Sequence, residues 1–297
     1  MIVLVTGGGG LVGNSLKELG HDWLFPTSKE MNLLDRQQTL QYMEKVKPDV
    51  VIHLAARVGG LYNNINNNSQ MFIDNMHINM NIVDICDILC VKRFICILST
   101  CIFPDKQVLT EDDIHMGPPH SSNEGYAMAK RMLEVDCRLR KMNTLCLIPT
   151  NLFGKHDNYD IDDGHVIPAL IHKCHIAKIT NTPFIVRGTG KAKRQFLYSD
   201  DFAKIIEWSV YKHMSSNHET YICSTNDDDV SISYIATTIS TIFNYDNIIY
   251  DTSYQDGQHQ KTSLNTKLMK EYHGEFSNFE DKLKETIEHF MSSLHLE

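Results

Sequence analysis

The segment "YAMAK" sets Tyr126 and Lys130 four residues apart, so a helix there carries a phenol and an ammonium on one face. A free phenol titrates near a pKa of about 10, too high for efficient proton transfer at neutral pH, and an adjacent ammonium stabilises the phenolate. That pair suits protonation of a carbonyl oxygen as the carbonyl is reduced. Ser99, at the end of the apolar run "RFICILST", offers a second donor to the same oxygen. Cys101 follows two residues later, and its type alone leaves packing, metal ligation, disulfide formation and proton transfer all open.

A second chemical pattern lies near the start. "TGGGGLVG" places Gly7, Gly10 and Gly13 at three-residue intervals, with Leu11 and Val12 between them, after a β-branched run and before a helical pattern. Glycines at such spacing permit a tight turn, close backbone approach to a pyrophosphate and tight strand–helix contact, while the helix N-terminus faces the anion. A carboxylate usually follows about 20 residues on, accepting from the ribose 2′-hydroxyl of NAD. Here "PTSK" supplies Ser28 and Lys29 instead, which favours the 2′-phosphate of NADP(H); the plain alternative for Lys29 is a solvated surface charge. Asp35 either touches the adenine side or caps the next helix.

These residues need a scaffold, and the pattern around them describes one. "IVLVT" (2–6), "DWLFPT" (22–27), "DVVIHLAA" (49–56), "RFICILST" (93–100) and "TLCLIPT" (144–150) predict strands. Helical patterns at 11–20, 35–46, 71–90 and 123–142 separate them, and the polar "YNNINNNSQ" (62–70) predicts a loop. Near-continuous apolar strands between helices indicate a parallel, doubly wound α/β sheet of the Rossmann type. Past residue 154 short strands ("FIVRG", "NIIYDT") mix with helices near 165–178, 200–213, 231–243 and 279–293. This predicts a dinucleotide-binding domain over 1–154 and a smaller α/β lobe over 155–297 that closes on the sheet's carboxyl edge, with 195–215 packing back on the first domain.

Composition narrows the function classes. A net charge of −9 over 297 residues argues against broad nucleic-acid binding, which needs a basic face. No apolar run reaches the roughly 18 residues needed to span a bilayer, and no charged leader precedes an apolar core at the start. Eight cysteines without CxxC or framework spacing fit a reducing cytoplasm. At helical spacing the Cys and His of "HKCH" (172–175) do not share a face, so no metal site is expected.

With "TGGGGLVG", "HLAA", "NMHINMN" and "YAMAK", the chain resembles the extended short-chain dehydrogenase/reductase superfamily. "HLAARVGGLYNN", "LSTCIFPDK", "MGPPHSSNEGYAMAKRM", "IPTNLFGKHDNYDIDDGHVIPALIHK", "KRQFLYSDDFA" and "DGQHQKTS" are similar to its branch that epimerises and reduces a GDP-4-keto-6-deoxy-sugar, almost end to end. The resemblance implies epimerisation at C3 and C5 of that GDP-sugar, then hydride delivery from NADPH to C4. It implies Ser99, Tyr126 and Lys130 as the reductase trio, and Cys101 and His165 as the acid–base pair for epimerisation. Cofactor contacts would include Leu54, Ala55, Ala56, Leu98, Lys130, Pro149, Asn151, Leu152 and His165. Substrate contacts would include Lys173, Arg187, Arg194, Asp256 and Lys261, and the chain would form a homodimer through helices including the one bearing Tyr126. Two departures stand out: Arg187 occupies a place usually held by Trp, and Lys155 one usually held by Pro.

Overall fold

The computed structural model describes residues 1–60, 65–140, 142–214, 216–227, 229–254 and 261–294. Five parallel strands form the central sheet: β1 (Val3–Thr6), β2 (Val50–His53), β3 (Arg93–Ile97), β4 (Thr144–Pro149) and β5 (His218–Cys223), side by side in that order. Their residues are buried on both faces, which is why they read as apolar runs. The longer helices are α1 (Leu11–Glu18), α2 (Arg36–Val46), α3 (Asn68–Ile88), α4 (Glu124–Leu139), α5 (Val166–Thr180), α6 (Ser199–Tyr211), α7 (Ile232–Phe243) and α8 (Phe279–Ser293).

Strand parity divides the core. Leu4, Val51, Phe94, Cys146 and Ile222 point to one face and meet Met43 of α2, Ile82 of α3 and Leu133 of α4. Val5, Ile52, Ile95, Leu147 and Tyr221 point to the other and meet Leu16 of α1 with Phe202 and Ile206 of α6. Burying each such side chain contributes about 1.5–3 kcal/mol, so both layers are held mainly by apolar burial. A third apolar core joins α5, α7 and α8 to the parallel pair 184–187 and 248–251, and it forms the outer lobe.

Four elements differ from the sequence expectation, the first being the predicted loop 62–70, of which 65–66 and 68–70 are helical and 68–70 open α3. "DWLFPT" supplies a single bridge, Leu24 beside Leu4; Pro26 has no N–H to continue a ladder. β3 ends at Ile97, because Ser99 opens a 3₁₀ turn over Thr100–Ile102. "HETYIC", within 155–297, adds a fifth strand to the central sheet through β4. The helix α6 packs on α1 and the sheet.

The "HKCH" residues diverge: His172 bonds the Tyr159 carbonyl at 2.7 Å, Cys174 is buried in the outer core, and His175 packs against Phe243 and Phe290. Among the described residues, the set of three ligand-type side chains that does converge is Cys96, Cys137 and Cys146, inside the sheet–α4 core.

Candidate active site

The carboxyl ends of the strands, the glycine turn and the outer lobe enclose a cavity of about 1190 Å³. Ordinary small-ligand sites run to about 1,000 Å³, so this one has room for two sizeable ligands.

At its inner end the glycine turn is set by contact. Gly7 has φ +72°, and a Cβ there would sit 2.7 Å from the Ala55 nitrogen at the end of β2. A Cβ on Gly13 would lie 2.6 Å from the Gly8 Cα, so α1 can start only with glycine at that point. Gly10 precedes the helix without a side-chain cap, leaving the first-turn N–H groups for a ligand, and a Cβ on Gly9 would meet no protein atom within 4 Å. This cradle fits the pyrophosphate of a dinucleotide.

A directional hydrogen-bond chain ties the cradle to the helix bearing Tyr126. The Ala55 N–H donates to Thr6 Oγ1 at 3.2 Å, and Thr6 Oγ1 lies 2.9 Å from His53 Nδ1, to which it donates because the other ring nitrogen must donate to an amide oxygen. His53 then carries its proton on Nε2 and donates to Asn79 Oδ1 at 3.2 Å; Asn79 Nδ2 donates to the Ala129 carbonyl at 3.2 Å. Burial, helped by the Lys130 charge, pushes the His53 pKa down to about 3, so the imidazole stays neutral and the chain keeps its direction.

Lys130 follows Ala129. Its buried Nζ donates to the Ile97 carbonyl at 2.8 Å and lies 5.8 Å from the centre of the Tyr126 ring. Burial lowers its pKa to about 8, against the nearby Cys96, Cys101 and Cys146 thiols. Burial also raises the Tyr126 phenol, with Cys101 adding to the effect, rather than the ammonium lowering it as the spacing suggests. The phenol is therefore a proton donor at rest.

Ser99 Oγ accepts from the Cys101 N–H at 3.4 Å and fixes the tight turn after β3. The turn is also tied to α4, because Arg131 Nε donates to the Ile102 carbonyl at 2.5 Å. Cys101 is half-buried in the cavity wall, and burial raises its thiol to about 11 against Ser99, Lys130 and Lys261. Its neighbours do not lower it overall, so at rest the thiol is protonated.

His165 stands across the cavity as the residue preceding α5, with Asp157 beside it raising its pKa. Lys173, Arg187, Arg194 and Lys261 also line the cavity. The Arg187 guanidinium lies over the Tyr254 ring at 4.9 Å and 3.6 Å from Asp162, so the place usually held by Trp here carries a charged plane backed by an aromatic ring. Lys261 Nζ lies 3.6 Å from Asp105.

The cavity thus brings together Ser99, Cys101, Tyr126, Lys130 and His165, and its wall includes Leu11, Val12, Ser28, Leu54, Ala55, Ala56, Leu98, Pro149, Asn151 and Leu152. Two residues singled out in the sequence lie elsewhere. Lys29 is exposed and is not among the lining residues; Asp35 caps α2, accepting from the Gln37 and Gln38 N–H groups at 3.0 Å, the second of its two readings. Asp256 lies outside the described residues. Lys17, which the sequence reading passed over, does line the inner end, with its Nζ 5.5 Å from the Phe25 ring. Its position one helical turn after Gly13 was the available signal.

A parallel doubly wound sheet with this glycine cradle at its switch point defines a dinucleotide-dependent protein of the short-chain dehydrogenase/reductase class. Residues 3–223 match the NAD dependent epimerase/dehydratase family, and the chain belongs to it. It is 44% identical over 282 residues to the GDP-L-fucose synthase of Dictyostelium discoideum, covering 90% of this chain and 87% of that one. It is 39% identical over 289 residues to a probable GDP-L-fucose synthase of Drosophila melanogaster, covering 90% and 89%. Among solved structures, a GDP-L-fucose synthetase from Naegleria fowleri bound to NADP superposes with TM-score 0.91 at 40% identity, covering 99% of this chain and 93% of that one.

Proposed function

We propose that the protein is an NADPH-dependent epimerase/reductase that converts GDP-4-keto-6-deoxy-D-mannose to GDP-L-fucose. The observation that carries this reading is the placement of Cys101 and His165 in one cavity with Ser99, Tyr126 and Lys130. A plain ketone reductase has no use for two further proton-transfer groups. The similarity to GDP-L-fucose synthases over most of the chain supports the choice of substrate.

The carbons beside the C4 ketone are acidic because their conjugate base is an enolate. Ser99 and Tyr126 hold the C4 oxygen as charge develops there. Cys101 and His165 exchange protons with C3 and C5 from the two walls. Bound NADPH supplies the hydride for C4. Tyr126 then gives its proton to the C4 oxygen, and the Lys130 ammonium stabilises the phenolate left behind. Lys173, Arg187, Arg194 and Lys261 neutralise the diphosphate, a role that requires local positive charge in a chain of net charge −9.

The homodimer is part of the same proposal: Phe72, Ile73, Met80 and Ile88 on α3 and Leu139 on α4 are exposed apolar side chains on adjoining helices. So is a reducing cytoplasmic setting, supported by eight free thiols; no helix among the described residues is long and apolar enough to cross a membrane.

The test is turnover in deuterated water with NADPH and the 4-keto sugar nucleotide. The expected product carries deuterium at C3 and C5, with matching NADPH oxidation. Oxidation without ring deuterium would reduce the protein to a 4-reductase, and no turnover with any keto-sugar nucleotide would overturn the enzymatic reading.

A further inference from the structure

Asp157 lies in the loop between the short strand Asn151–Phe153 and α5, and the chemistry above leaves it without a task. Its side chain is only 3% exposed, whereas that of His165 is 56% exposed and faces the cavity. Asp157 Oδ1 accepts from the Asn158 N–H at 2.8 Å and lies 3.4 Å from His165 Nδ1. Asp157 Oδ2 is buried with no hydrogen-bond partner among the described residues. A buried carboxylate left half-satisfied costs free energy, and such a cost is characteristic of functional sites. A distance of 3.4 Å is long for a charged pair, and contacts of this kind tighten when a substrate fills the site.

We propose that Asp157 is the positioning residue of His165, fixing which ring nitrogen meets the sugar. This rests on the reading of His165 as one of the two epimerisation groups. An ionised carboxylate only accepts, so His165 carries a proton on Nδ1 and turns Nε2 to the cavity. When Nε2 gives its proton to a ring carbon, the imidazole becomes neutral with Nδ1–H still on Asp157. When Nε2 takes a proton, the imidazolium is stabilised by the same carboxylate. No other group gains or loses a proton in either direction. The proposal also accounts for the burial contrast: the carboxylate is sealed from water so that its field acts on the one ring beside it.

Other charges face His165. Asp163, in the same loop, adds to the effect of Asp157. Its own Oδ1 accepts from the Gly60 N–H at 3.1 Å, which docks the loop against the sheet side. Asp162, Lys173, Arg187, Lys261, Cys101, Tyr126 and Lys130 also line the cavity. Asp157 is the carboxylate in direct contact with the ring, 3.4 Å from Nδ1.

The test is Asp157→Asn, which keeps the shape and removes the charge. Three measurements go with it: the His165 titration followed by its ring-proton NMR signal, ring deuteration in deuterated water, and the back-reaction from GDP-L-fucose with NADP, which needs C4 chemistry only. The expected result is a His165 pKa lower by about one unit, ring deuteration reduced about tenfold to a hundredfold, and a back-reaction within about twofold of the parent. An unchanged His165 titration, or equal losses in deuteration and back-reaction, would reduce Asp157 to a structural loop residue. If Asp157→Asn does not fold, Asp157→Glu answers instead: it should retain a raised His165 pKa and part of the deuteration, and loss of both would overturn the proposal. If the parent protein epimerises nothing, the functional reading fails, while the His165 titration still decides the pairing.

Discussion

The two walls of the cavity are built differently. On the sheet side, Ser99, Cys101, Tyr126 and Lys130 share one framework: Lys130 is bonded to the last residue of β3, Arg131 to the turn holding Cys101, and the His53–Asn79 chain to the residue before Lys130. On the lobe side, His165 precedes a helix whose packing is with α7 and the strand 184–187. Its link across to the sheet side runs through the loop contact of Asp163 with Gly60. In the proposed reaction, ketone reduction draws on the sheet side alone, whereas epimerisation needs both walls at once. The two activities should therefore separate under mutation.

The sharpest way to break that comparison is a pair of substitutions on the same wall. Tyr126→Phe removes the group proposed to exchange a proton with the C4 oxygen and should lower the GDP-L-fucose/NADP back-reaction by about 10²–10⁴-fold, the range for a general acid or base. NADP binding by fluorescence should stay within about twofold. Cys101→Ser should do the opposite, reducing ring deuteration by about 10²-fold while the back-reaction persists. Equal effects of both changes on both readouts would show that the wall acts as one unit and that Cys101 is packing.

A smaller effect comes from pH. In the proposed reaction Lys130 acts as an ammonium beside a protonated Tyr126, and its pKa is lowered to about 8, so kcat/KM for NADPH oxidation by the 4-keto sugar nucleotide should fall about tenfold per unit as pH rises past that value. Cys101 is raised to about 11. Ring deuteration should therefore hold from about pH 8 to 10, whichever of Cys101 and His165 is the base, because both assignments lose activity on the alkaline side only when the thiol titrates. A deuteration profile that fell with NADPH oxidation near pH 8 would mean that Lys130 governs both steps.

The sheet-side wall was the legible one. A glycine turn, a Tyr–Lys pair at helical spacing and a Ser at a strand end are local patterns, and backbone periodicity carries them into space. The strand "HETYIC" was not, because alternation in a short run does not say which sheet receives it. The ionisation states were not legible either. Spacing shows that Lys130 is near Tyr126, but burial sets the pKa of both, and burial is a property of the assembled layers. His165 stands out in the sequence only by resemblance, since its partner Asp157 is eight residues away through an irregular loop.

The smallest expected effect concerns the far end of the cofactor, where sequence and structure point to different lysines. Lys29 follows the strand-like "DWLFPT" as a residue that reads a 2′-phosphate would, yet Pro26 ends the single bridge and Lys29 is exposed and does not line the cavity, although Thr27, Ser28 and Met31 beside it do. Lys17 stands at the inner end on α1, held by Asn14 Oδ1 at 3.2 Å, in the same lining as Thr27 and Ser28. A 2′-phosphate placed there meets an ammonium on a rigid helix rather than one on a loop. Lys17→Met should weaken NADPH binding on the order of tenfold, about 1.4 kcal/mol, and leave NADH binding unchanged. Lys29→Met should change neither by more than about twofold. Titrating both nucleotides into both variants decides the matter: a loss of NADPH affinity in Lys29→Met alone would return the 2′-phosphate to the loop.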